Sequence, residues 1–99
     1  MLESLTLETC APLLGQGFLL HPGVGAAPRE LSLLEASSLG NPRPGVREPF
    51  SLIFVDATPQ SVLPQQIYLL EHAALGKLEL FLVPIGPGAS GMQYQAIFS

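Results

Sequence analysis

Few side chains in this sequence are equipped for chemistry. Two imidazoles, His21 and His72, one thiol, Cys10, and a lone aspartate, Asp56, are the groups from which a nucleophile, base and orienting acid would be assembled. The nucleophile elbow G-x-S-x-G is missing, and Ala89-Ser90-Gly91 supplies half of it. Cys10 stands in an apolar stripe with no base beside it, which predicts a buried, inert thiol. His21 and His72 both adjoin turns, and only Glu71, next to His72, stands near either, so solvated turn histidines are expected and no metal site. Gly86-Pro87-Gly88-Ala89-Ser90-Gly91 has the glycines of a phosphate cradle. It lacks the lysine and the following helix that such a cradle uses, and reads as a hairpin connection. Glu71 and Glu79 read as part of a solvated face; as a catalytic pair they would need a cleft for which a chain this short has little room. The residue inventory therefore predicts no enzyme and no cofactor.

Composition narrows the remaining classes. The chain has 99 residues, 47% hydrophobic and 12% charged, which excludes a disordered segment and predicts one domain spanning 1–99. Eight acids against four bases give a net charge of −4, with no basic surface for nucleic acid. A single cysteine cannot form an internal disulfide. The start, Met1 to Glu8, carries two acids and no base, unlike a secretory signal. The longest apolar runs, such as Leu80–Ile85, fall far short of the ~20 residues that cross a bilayer. A cytoplasmic product without membrane insertion is expected, with incorporation into a particle or non-classical export left open.

The elements that would position these side chains follow from Gly and Pro, ten of each, gathered at 22–28, 40–45 and 84–91. Between them lie runs with period-two alternation, the mark of half-buried strands. Six are expected: Gln16–His21, Arg29–Glu35, Phe50–Val55, Ile67–Glu71, Lys77–Val83 and Met92–Phe98. The link from His72 to Gly76 reads as a hairpin turn with Gly76 at a positive-φ position. One short helix is expected near the start. Thr6 would cap it, Leu7, Cys10, Leu13 and Leu14 would form its apolar stripe, Gly15 would end it, and Pro12 would shorten or break it. Together these predict an all-β fold, a small antiparallel barrel or sandwich of about six strands with one short N-terminal helix.

Three blocks carry a resemblance: Leu5 to Gln16, Arg47 to Phe54, and Leu69–His72 continuing through Leu80–Pro87. They resemble a family of small uncharacterised bacterial all-β proteins that occur alongside phage tail-collar-like proteins. The chain departs from that pattern at Cys10, where a Phe is expected, and at Ala73, where a Pro is expected. The resemblance implies a part in a tail-like or filamentous assembly and transfers no catalytic residue.

One feature of the strands points the same way. Phe50–Val55 and Leu78–Val83 are apolar on both faces, whereas a free-standing small sheet keeps one face polar. Covering ~300 Å² of such surface would yield about 7 kcal/mol before association costs. The sequence therefore predicts a non-enzymatic structural or adaptor subunit that self-associates or docks on a larger assembly, its partner a second copy or a tail-collar-like protein. Outward-facing Ile53, Val55, Phe81 and Val83 are the expected contact residues, with loops 22–28 and 40–49 as adjustable flanks. A barrel carrying a small molecule is the alternative. Phe50, Phe54, Tyr94 and Phe98 would tend to fill so narrow an interior.

Overall fold

A computed structural model describes residues 5–40, 45, 48–58 and 61–98. Most of the 40–49 loop, expected to adjust to a partner, lies outside the described residues. Thr6 caps the helix α1 (Leu7–Cys10) as expected: its hydroxyl accepts from the Thr9 N–H, and the Thr9 hydroxyl accepts from the Thr6 N–H. Pro12 then sits in a 3₁₀ turn (Ala11–Leu13), where its missing N–H is tolerated. The stripe is only partly as predicted. Cys10 is buried, but Leu14 adopts extended backbone after the 3₁₀ turn and points out to solvent.

Six strands follow: β1 (Gly17–His21), β2 (Arg29–Ser38), β3 (Phe50–Asp56), β4 (Gln66–His72), β5 (Gly76–Gly88) and β6 (Gly91–Phe98). They close an all-antiparallel barrel in the order β1-β2-β3-β6-β5-β4. The all-β, six-stranded fold with one short N-terminal helix is thus the one the alternation predicts. The β4–β5 hairpin closes at His72↔Gly76, with Gly76 at φ +76°, a value that favours glycine.

Two strands are longer than expected. β2 runs on to Ser38 across a bulge between Leu33 and Glu35. β5 continues through Pro84–Gly88, a stretch the Gly and Pro content marked as a turn, with a register shift between Pro84 and Gly86. The β4 ladder ends opposite Leu82, so beyond it β5 has one neighbour, and a proline nitrogen turned to the open side removes no needed donor. β2 and β5 each change partner along their length. β2 pairs with β1 up to Ser32 and with β3 from Ser32 onward. β5 pairs with β4 over Gly76–Leu82 and with β6 over Val83–Gly88.

The inward rows fill the barrel. Phe18, Phe50, Phe54, Tyr68 and Tyr94 are buried together with leucines from β1, β2, β4 and β5. Phe18 meets Phe54 edge-on at 5.1 Å between ring centres, and Phe50 stacks on Phe98 at 4.6 Å. α1 adds Cys10 to this core, and Leu5, two positions ahead of the helix, joins it.

Candidate functional site

The chemistry-bearing side chains are dispersed into separate structural contacts. His72 is buried, which corrects the expectation of a solvated turn histidine: it is the last inward residue of β4, its ring 4.6 Å from that of Phe18. Its Nδ1 accepts from the backbone N–H groups of Ala74 (3.0 Å) and Leu75 (3.4 Å), so Nε2 carries the proton and donates to Gln16 Oε1 at 2.7 Å. The imidazole thereby fastens the β4–β5 turn to the segment entering β1. His21 faces outward and pairs with Glu71 at 2.7 Å. Glu71 is therefore engaged across β1 and β4, and its register partner on β5 is Lys77, with Glu79 opposite Leu69. Asp56 lies at the end of β3 against Arg29, 3.3 Å away, while Arg29 also donates to the Ser61 carbonyl (2.7 Å) and hydroxyl (3.0 Å). Among the described residues, no hydrogen bond joins His72 to Asp56 or to a serine. Among the described residues, no group of three His, Cys, Asp or Glu side chains is arranged to hold a metal ion.

Burial pushes the Cys10 thiol above its ordinary 9.0, against the opposing pull of its hydrogen bond to Thr9. Burial likewise raises the Tyr68 phenol above 10.0, helped by Tyr94 and opposed by Arg29. The Tyr68 hydroxyl donates to the Pro64 carbonyl. Both groups are neutral when protonated and have folded values above their unfolded ones. Their contribution is therefore complete below the unfolded values and is lost as pH rises through the folded ones. Urea midpoints measured from pH 8 to 11 are expected to fall once the pH passes about 9, the ordinary thiol value, and Cys10→Ala is expected to remove the earliest part of that fall. A midpoint rising across the same range would contradict the assignment.

The outer surface of β3, β5 and β6 carries the residues that patterning had marked for contact, and it divides them. Ile53 and Val55 do face outward, yet they are only 7% and 6% exposed. This corrects their expected role as open contacts. β3 runs between β2 and β6, so Ile53 has Glu35 and Gln95 directly opposite on its two sides, and Val55 has Ser32 and Gln93. The stems of the longer polar side chains can shelter apolar neighbours in such positions. Phe81 and Val83 are more open, Val83 having Gln95 opposite on one side only. Phe81 is 52% exposed and Val83 half-buried, and with Gln95 and Ile97 they line an open groove of about 340 Å³.

The groove has a backbone cause. The β5–β6 ladder begins at Val83↔Gln95, leaving Phe81 and Ile97 beyond its end, each paired by its strand only to the other side. Ile97 is 62% exposed, and Ile67, directly across the β4–β5 ladder from Phe81, is 63% exposed. Neither isoleucine was among the expected contacts. Ile97 was available from the alternation that put Gln93 and Gln95 outward, two residues further along. Ile67 needed the β4–β5 register, which the sequence does not contain. Of five Phe and two Tyr, Phe81 is the one aromatic side chain exposed on the outside.

No helix among the described residues is long and apolar enough to cross a membrane. No curated protein and no solved structure matches the chain. A family model described as a domain of unknown function (DUF6916) matches residues 5–98, and the chain belongs to that family.

Proposed function

We propose that this member of the DUF6916 family is a non-enzymatic structural or adaptor subunit that docks on protein through the outer face of β4, β5 and β6. The observation that carries the reading is the exposed Phe81, flanked by Ile67 and Ile97 and standing over a groove, on a domain whose other aromatic side chains are buried. Exposed aromatics among aliphatic residues are the usual anchors of protein interfaces. The imidazole of His72, the carboxylate of Asp56 and the thiol of Cys10 are each held in contacts that build the barrel, which favours a docking role over catalysis. The packed aromatic interior similarly favours contact at the outside over a ligand carried within.

The setting we propose is a tail-like or filamentous assembly, with a second copy or a tail-collar-like protein as partner and no cofactor. That setting rests on the resemblance of the three sequence blocks. A cytoplasmic location belongs to the same reading.

The test is to immobilise the wild-type domain and a Phe81→Ser/Ile97→Ser variant, then pass over each a soluble copy of the domain and a tail-collar-like protein. Wild type is expected to retain at least one of them at micromolar concentration, and the double variant to bind at least tenfold more weakly. Retention of neither protein at ~100 µM, far above the range of specific interfaces, or equal retention by both domains, overturns the reading.

A further inference from the structure

We infer that the partner seated on this face is a second copy of the chain, related by a twofold axis, with the Phe81 ring of each copy lodged against the groove of the other. The inference rests on the docking reading above and assigns its occupant.

Three observations support a copy over an unrelated partner. The first is self-complementarity. A twofold contact uses one patch twice, so that patch must supply both a projecting group and a place to receive it. Here Phe81 projects and also forms a wall of the groove, beside Val83, Gln95 and Ile97. A groove of about 340 Å³ accepts side chains and not a whole strand or helix, which suits the approach of two similar faces.

The second is area. The exposed parts of Ile67, Phe81 and Ile97 amount to roughly 300 Å², given the ~150–250 Å² of a whole aromatic side chain. The apolar share of a standard interface is about 450 Å² per partner. Half-buried Val83 and exposed Ile85, on the same strand as Phe81, extend the patch toward that figure.

The third is charge. Each copy has a net charge of −4, which disfavours association in general, but Ile67, Phe81, Val83, Gln95 and Ile97 are all uncharged. Two copies can therefore bring these five residues together without a like charge among them, the exposed Glu79, two positions from Phe81 on β5, being the nearest acid on the same outward row.

Light scattering on eluting wild-type protein, loaded from ~5 to ~200 µM to span the weak end of standard interfaces, is the experiment. The expected mass is twice 10.5 kDa. Phe81→Ser is expected to weaken the pair about a hundredfold, as loss of a central aromatic anchor does, and so to elute at the single-chain mass with an unchanged circular-dichroism melt. Leu14→Ser, in the exposed link between the 3₁₀ turn and β1, is expected to leave the pair intact. A pair that survives Phe81→Ser, or open-ended growth in place of a closed pair, overturns the twofold arrangement. A wild type that stays single yet binds a tail-collar-like protein through Phe81 overturns the second copy while the docking reading stands. A wild type that stays single and binds neither overturns both.

Discussion

Gly91→Ala is expected to cost about 2–5 kcal/mol, the sum of ~1–2 kcal/mol for an L-residue forced to positive φ and ~1–3 kcal/mol for overpacking. Gly91 opens β6 at φ +138°. A Cβ added there would stand 2.2 Å from the Asp56 carbonyl oxygen and 2.9 Å from Ala57 Cα. Both obstacles are backbone, and at this end of the ladder Asp56 is already paired with Met92, so neither side can give way cheaply. Against the ~5–15 kcal/mol by which domains of this size are stable, that is a large fraction, and a melting temperature lower by roughly 8–40 °C should follow. Gly25→Ala provides the comparison. Gly25 also has positive φ, +81°, but nothing lies within 4 Å of its added Cβ, so only the conformational strain applies. Urea unfolding of the two variants separates the terms. Equal losses would mean that the close approach of β6 to the end of β3 is not a constraint.

The second large effect lies a few ångströms away, in chain terms at the same corner. Arg29→Met is expected to destabilise the domain by about 3–5 kcal/mol, the usual cost of stripping one partner from a buried ion pair. The side chains of Arg29 and Asp56 are only 10% and 3% exposed. Without the guanidinium, the Asp56 carboxylate keeps the Thr58 N–H at 3.0 Å but loses its counter-charge, and Ser61 loses both of its bonds to Arg29. Adding Asp56→Leu to Arg29→Met should recover part of the loss, because the stranded charge is removed as well. A double-mutant cycle in urea is expected to show a coupling of at least ~1 kcal/mol. Simple additivity would show that the two groups do not act as a pair.

The strands and the short helix were legible because they are governed by local rules. Alternation in Met92–Phe98 needs no knowledge of neighbours, and neither does the Thr6 cap or the glycine at 76. The course of β5 beyond Val83 was not legible, because Pro84, Pro87 and two glycines look like a turn until a register shift accommodates them. The contact face was half legible for a related reason. Ile53 and Phe81 carry the same outward pattern, but Ile53 sits between two paired strands and Phe81 beside the point where a ladder stops. Exposure at these positions depends on which strand is the neighbour, and β6 lying between β3 and β5 is a non-consecutive arrangement. The same holds for His72, whose partner Gln16 is 56 positions away.

The strand order also governs when the barrel can shut. β1 gains its second neighbour only when Leu19, Leu20 and His21 meet Glu71, Leu70 and Leu69 on β4. That closure spans some fifty positions, and its entropy cost must be met before the contacts form. While the chain is being synthesised, the inner leucines and phenylalanines of the first three strands must wait unshielded until the final third has left the ribosome. Relatively slow closure and a need for dilution or chaperone cover at birth follow from this long-range topology.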